Sequence, residues 1–117
     1  MSMLHSVPRP EWRGFFDRVS GALLGKWAEI EVASLDLGDQ IVVEWVPMLG
    51  ITYDARDDAL DVALDRATHS IRRPREITVE ESPAGLVSVA VVDEDGAQQV
   101  VRLKDPLKLP PGSAGPG

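Results

Sequence analysis

The chain has 117 residues, 44% hydrophobic and 26% charged, which are ordinary values for a single globular domain. Its formal net charge is −7, so the protein surface as a whole repels nucleic acid and anionic membranes. The absence of cysteine excludes disulfides, thiol nucleophiles and thiolate metal sites, and it is compatible with a reducing compartment.

Residues 1–8 show no regular hydrophobic pattern, and we expect them to form an unstructured lead-in. They contain no apolar run of the kind found in a secretion signal. No stretch of the chain approaches the ~20 apolar residues that a membrane span requires. We therefore expect a cytoplasmic protein that does not associate with membranes.

The first predicted element is an amphipathic helix that begins near Pro10 and ends at Gly25, since proline suits a helix start and glycine a helix end. The apolar residues recur at the spacing of one helical face: Trp12, Phe15, Phe16, Val19 and Leu23. Gly14 and Gly21 weaken the helix in isolation, so its stability should depend on packing against a sheet.

After Gly25 the hydrophobic period changes to two, which predicts short β-strands. The apolar positions of these strands lie at 28–32, 41–46, 51–53, 60–64, 77–79, 87–91 and 98–103. No helical pattern separates them, so the sheet should be antiparallel. We predict an α+β fold, with an N-terminal helix packed on a strongly bent antiparallel sheet of six or seven short strands. A barrel-like sheet is the alternative to an open one.

The predicted domain organisation is one α+β domain over residues 9–104, followed by a flexible tail rich in proline and glycine over residues 105–117. Within the strand at 41–46, Ile41, Val43 and Trp45 share one face, and Val42 and Val46 share the other. One helix covers only one face of a small sheet, so the second face needs another cover. A curled sheet would provide it, as would a symmetric partner, and we favour a homodimer.

Four short motifs lie along the predicted fold. They are W-x-x-F at 12–15, G-I-x-Y-D-x-x-x-D at 50–58, H-x-I-x-x-P at 69–74 and D-x-D-G at 93–96. In these motifs the chain resembles an uncharacterised family of short bacterial proteins. The resemblance implies a compact domain of unknown function, and it assigns no catalytic residue.

An acidic stretch between residues 54 and 65 is a candidate cation site. It consists of Asp54, Asp57, Asp58, Asp61 and Asp65. Carboxylates are ligands for hard cations, but the stretch lacks the spacing of a calcium-binding EF-hand loop. Aspartates in turns commonly accept hydrogen bonds from nearby backbone N–H groups, which is the favoured interpretation. We therefore predict neither a metal site nor a cofactor.

The basic patch that follows is the candidate contact surface for an anion or a partner. It comprises Arg66, His69, Arg72, Arg73 and Arg75. Guanidinium groups engage phosphate or carboxylate oxygens in pairs, so the patch could bind such a group or an RNA backbone. Pairing with the preceding acidic stretch is the favoured alternative. Arg72 and Arg75 should be exposed, whereas Arg73 should lean toward the core's rim and a carboxylate.

His69 and Ser70 do not form a hydrolase-type pair, because neighbouring residues of a strand point to opposite faces. Ile71 should face the core, which places His69 at the core's rim with a ring nitrogen bonded to a backbone group or a carboxylate. No residue set has the spacing of acid–base or nucleophilic catalysis, so an enzyme is disfavoured.

The pattern as a whole favours a non-enzymatic accessory or protein-interaction domain. Its partner would be a protein, with a second copy of the chain among the candidates. The alternative function is binding of an anionic ligand, either RNA or a phosphorylated metabolite, through the arginines at 66–75. The acidic net charge makes nucleic acid the less favoured of these ligands.

Overall fold

The computed structural model describes residues 2–105, and in this part of the chain it shows one α-helix and a sheet of eight strands. Helix α1 spans Trp12–Leu23 and follows a 3₁₀ turn at Arg9–Glu11. The strands are β1 (Met3–Ser6), β2 (Trp27–Ser34), β3 (Gly38–Asp54), β4 (Ala59–Leu64), β5 (Thr68–Arg72), β6 (Pro74–Ser82), β7 (Gly85–Asp93) and β8 (Gln98–Lys104).

The strands lie in the order β1-β6-β7-β8-β2-β3-β4-β5, and every neighbouring pair is antiparallel. The predicted α+β fold, with an N-terminal helix and an antiparallel sheet, is confirmed. The sheet has eight strands rather than six or seven. Because β1 and β5 are its two outer strands, it does not close into a barrel.

The N-terminal segment differs from the expected unstructured lead-in, because Met3–Ser6 forms strand β1 beside β6. All four side chains of β1 are exposed, so no hydrophobic alternation marks the strand in the sequence. Backbone pairing with β6 orders it, and Val7 continues this pairing by donating its N–H to the carbonyl of Ile77 at 2.9 Å. Apart from Asp105, the tail predicted at 105–117 lies outside the described residues.

The core forms where α1 packs against the sheet. The helical face predicted from the sequence is the buried one: Trp12, Phe15, Phe16 and Leu23 are buried, and Val19 is partly buried against them. They join apolar residues of the sheet, among them Ile30, Ile51, Leu60, Ile71 and Val89. No polar or charged residue within 2–105 is fully buried, so burial of apolar surface is what holds the helix on the sheet.

Strand β3 is long because it pairs with two neighbours in turn. Residues 38–47 pair with β2, and residues 48–54 pair with β4. The pairing with β2 shifts register twice, and Trp45 has a φ of 35°, so β3 carries bulges that bend and twist it. The strands predicted at 41–46 and 51–53 are therefore two parts of one long strand.

The exposed side of α1 offers a test of the helix. Gly21 is exposed there, and a Cβ added to it would meet no other atom within 4 Å. Alanine in a helix interior is more favourable than glycine by ~0.5–1 kcal/mol. We expect Gly21→Ala to raise the free energy of unfolding by about this amount in urea titrations. A loss of stability would contradict the open surroundings of this position.

Helix α1 has only 12 residues. Across residues 2–105, no helix has the length and apolar character needed to span a bilayer.

Candidate functional site

Arg9 is the centre of a polar cluster that joins distant parts of the chain. Its guanidinium carbon lies 4.4 Å from the centroid of the Trp12 ring, and Nη2 donates to the carbonyl of Pro74 at 2.9 Å. Nη1 lies 3.4 Å from both the Tyr53 hydroxyl and Asp58 Oδ1. Trp12, Tyr53, Asp58 and Pro74 all belong to the motifs found in the sequence, whereas Arg9 does not.

The aromatic residues beneath Arg9 fix its position. Trp12 donates its indole N–H to the carbonyl of Val7 at 2.7 Å, and its ring meets that of Tyr53 edge-on at 5.2 Å. The Tyr53 hydroxyl donates to Asp58 Oδ1 at 2.6 Å. Burial raises the pKa of Tyr53, and the bond to Asp58 raises it further, so the hydroxyl stays protonated as a donor at neutral pH.

A surface pocket of about 350 Å³ opens beside this cluster. Its lining comes from four chain segments, and the residues are Arg9, Asp58, Arg73, Pro74, Arg75 and Glu94. Asp58 and Arg73 have φ values of 50° and 51°, which residues other than glycine adopt only at a cost of ~1–2 kcal/mol. The N–H of Arg73 donates to the carbonyl of Asp58 at 2.7 Å, and this bond holds both residues. This bond joins the segment of Asp58 to the segment of Arg73 in one wall of the pocket. We call the whole pocket the arginine pocket.

The predicted basic patch is divided among different surfaces. Only Arg73 and Arg75 line the arginine pocket. Arg72 lies in a neighbouring pocket of about 370 Å³ that Arg73 also lines, and Arg66 lies in a groove beyond the end of β4. Arg66, Arg72 and Arg75 are exposed, and within residues 2–105 no hydrogen bond or ion pair restrains their side chains.

No ion pair within 2–105 joins the basic patch to the preceding acidic stretch, although Asp58 acts electrostatically on Arg73. Arg73 forms its ion pair with Glu94, at 2.8 Å, and this bond raises the pKa of Arg73. Asp58 is paired instead with Arg9, at 3.4 Å. The Arg73 side chain is 66% exposed rather than leaning on the core's rim, because its left-handed backbone ends the alternation of β5.

His69 lies on β5, partly exposed, with Nε2 2.7 Å from the side-chain oxygen of Gln99 rather than from a backbone group or carboxylate. Ser70 points away from it and donates to Asp61 Oδ1 at 2.7 Å. Ile71 is fully buried, as its position in the strand predicts. This arrangement gives Ser70 no histidine base.

The first part of the acidic stretch forms the turn between β3 and β4, whereas Asp61 lies on β4. Asp54 Oδ1 accepts hydrogen bonds from the N–H groups of Arg56 and Asp57, at 2.9 and 3.3 Å. Over the described range 2–105, no group of three or more histidine, aspartate or glutamate residues is arranged to hold a metal ion.

A second candidate surface lies along residues 38–46 of β3, on the side that faces away from β2. We call this side the free edge, because β4 pairs only with residues 48–54 and no other strand within 2–105 pairs there. Ile41 and Val42 on this segment are 55% and 48% exposed, and Leu35 and Leu37 in the preceding turn are more exposed still. An unpaired strand edge with exposed apolar residues is a candidate docking surface.

A largely apolar groove of about 420 Å³ runs beside the free edge. Its lining is Val42, Val43, Glu44, Val46, Pro47, Leu64, Asp65, Arg66 and Ala67. The groove lies where β4 stops and the free edge of β3 continues. It therefore adds apolar surface to the same face.

Fold and surfaces together define the class: a small α+β domain in which one helix covers an open antiparallel sheet. The chain belongs to a family of unknown function, DUF5335, whose model matches residues 3–112. An uncharacterized protein of Aquifex aeolicus (strain VF5) is 36% identical over 107 residues, which cover 90% of this chain and 96% of that protein. No solved structure matches the chain. The resemblance to an uncharacterised bacterial family is thus confirmed.

Proposed function

We propose that the protein is a non-enzymatic, cytoplasmic interaction domain that docks through the free edge, and that its partner is a second copy of the chain. The observation that carries the proposal is an apolar strand edge that no other strand of residues 2–105 pairs with, and on which Ile41 and Val42 are about half exposed. The sheet does not close over this segment. No strand within residues 2–105 covers this segment, and a partner would cover it.

Charges at the two ends of the free edge support a two-fold arrangement. Arg66 lies near the Val46 end, because the N–H of Asp65 donates to the carbonyl of Pro47 at 3.0 Å. Asp36 and Asp39 lie in and beside the turn at the other end. A two-fold axis through the middle of the edge sets two copies antiparallel and brings each Arg66 toward the acidic turn of the other copy.

The bulges of β3 determine how the edge can be used. They twist the strand between residues 41 and 46, and a twisted edge resists open-ended addition of strands. A closed contact made mainly by side chains suits such an edge better than a continuous sheet. A two-fold contact also buries the free edge of both copies, so no free edge is left for a third copy, and assembly stops at a dimer.

Charge reversal tests this arrangement. We expect Arg66→Glu to weaken the dimer roughly tenfold, since it places like charges together at both ends of the contact. Adding Asp39→Arg to the same chain should recover much of the lost affinity, because opposite charges meet again. Sedimentation equilibrium at several concentrations measures both effects.

Arg72→Glu is the matched control, because it changes the net charge equally at an exposed residue away from the free edge. Equal weakening by Arg66→Glu and Arg72→Glu would show that net charge alone controls the association. Failure of Asp39→Arg to restore any affinity would contradict the antiparallel arrangement.

A further inference from the structure

The arginine pocket gathers positive charge on an acidic protein. Arg9 comes from the 3₁₀ turn, while Arg73 and Arg75 come from the junction of β5 and β6. The lining also contains the two carboxylates of Asp58 and Glu94, so its net charge is +1. The chain as a whole carries −7. The lining of the pocket therefore carries a charge of opposite sign to that of the whole chain.

Arg9 is already positioned for a ligand. The Trp12 ring and the Pro74 carbonyl fix its guanidinium group, so little side-chain entropy remains to be lost on binding. The contacts of Nη1 with Tyr53 and Asp58, at 3.4 Å, are longer than the usual 2.7–3.2 Å. These weak contacts can be exchanged for a ligand oxygen at small loss.

Arg73 and Arg75 add donors on the other side of the pocket. An arginine carries five N–H donors, and Arg73 uses Nη1 for its bond to Glu94. Arg75 makes no side-chain bond to any residue from 2 to 105. Planar guanidinium groups bind phosphoryl oxygens in pairs, and two or three of them match the charge of a phosphate monoester.

The two carboxylates of the lining narrow the class of ligand. Asp58 and Glu94 repel a bare anion, but they accept hydrogen bonds from hydroxyl groups next to it. The volume, about 350 Å³, is at the lower end of the range for small-molecule sites, ~300–1,000 Å³. Such a pocket suits a small phosphate monoester that carries several hydroxyl groups.

We propose that the arginine pocket binds the phosphoryl group of a small hydroxylated molecule of the sugar phosphate class. Arg9, Arg73 and Arg75 hold the phosphoryl oxygens, and Asp58 and Glu94 accept from the hydroxyl groups. The free edge is formed by other residues, so this binding does not depend on self-association.

The test uses the full chain with ribose 5-phosphate as the probe, titrated at low salt by calorimetry and by amide NMR shifts. We expect ribose 5-phosphate to bind in the millimolar range or tighter, and unphosphorylated ribose to show no binding. Arg75→Ala should weaken binding about tenfold, and Glu94→Gln should strengthen it by removing a repelling charge. Arg72→Ala is the control: it also removes one positive charge, but Arg72 does not line the arginine pocket. It should have little effect on the affinity for ribose 5-phosphate.

Arg72 and Arg75 are exposed, and no hydrogen bond or ion pair within 2–105 restrains their side chains. Arg72→Ala and Arg75→Ala should therefore melt near the wild-type temperature. Absence of ribose 5-phosphate binding in the millimolar range would overturn the proposal. Equal losses in Arg72→Ala and Arg75→Ala would also overturn it, since they would indicate non-specific attraction. A single-stranded RNA oligonucleotide that binds more tightly than ribose 5-phosphate would assign the arginines to nucleic acid instead.

Discussion

Replacement of Phe16 by alanine should unfold the domain or bring it close to unfolding. Phe16 is fully buried on the core side of α1, and its ring meets that of Phe15 edge-on at 5.1 Å. Truncation of a buried phenylalanine typically lowers the free energy of unfolding by ~3–5 kcal/mol. Small domains have only ~5–15 kcal/mol in total. Urea unfolding followed by tryptophan fluorescence measures the loss.

Arg13→Ala is the control for this prediction. It lies on the same helix with its side chain 76% exposed, so its effect should stay within ~0.5 kcal/mol. If Phe16→Ala were no more destabilising than Arg13→Ala, the packing of α1 against the sheet would be contradicted.

Gly50→Ala should be the second most destabilising of these changes. Gly50 is buried where β3 passes under α1, and a Cβ at this position would overlap with Ser20 Oγ. The same oxygen accepts a hydrogen bond from the N–H of Ile51 at 3.3 Å, so moving it breaks a contact between helix and strand. Overpacking of this kind typically lowers stability by ~1–3 kcal/mol. Thermal and urea unfolding should both show the loss.

Ser20→Ala identifies the cause of that loss. It removes the overlapping oxygen, and the remaining Ser20 atoms lie at 3.7 Å or more from the added Cβ, which is ordinary contact. Gly50→Ala should therefore destabilise the Ser20→Ala background less than the wild type, and the loss that remains reflects the φ of 159° at this position. Equal losses in the two backgrounds would show that the overlap with Ser20 is not responsible.

The elements that could be predicted from the sequence are those with a buried face. The helix of Trp12 and Phe16 repeats at the helical spacing, and strands such as β4 and β7 alternate with period two, because one side of each faces the core. Strand β1 has no buried side chain, so its pairing with β6 leaves no hydrophobic pattern in the sequence. The bend of β3 is likewise a property of backbone register and leaves no hydrophobic period.

The candidate site could be predicted only in part. Arg9 is 44, 49 and 65 residues away from Tyr53, Asp58 and Pro74, and no local pattern reports contacts over such separations. The one available signal was that all three partners belong to the motifs. Conversely, Arg72 and Arg73 are adjacent in sequence, yet Arg73, with its left-handed backbone, pairs with Glu94, whereas Arg72 forms no ion pair within 2–105.

The measurement that most directly tests docking through the free edge is the mass of the protein by light scattering during gel filtration, over a series of dilutions. We expect a mass near twice 12.7 kDa at high micromolar concentration that falls toward 12.7 kDa on dilution. Val42→Lys places a charge on the free edge and should be monomeric throughout. Thr52→Lys, at an exposed position of β3 that β4 already pairs, should behave as the wild type. A wild-type mass of 12.7 kDa at every concentration would contradict the dimer.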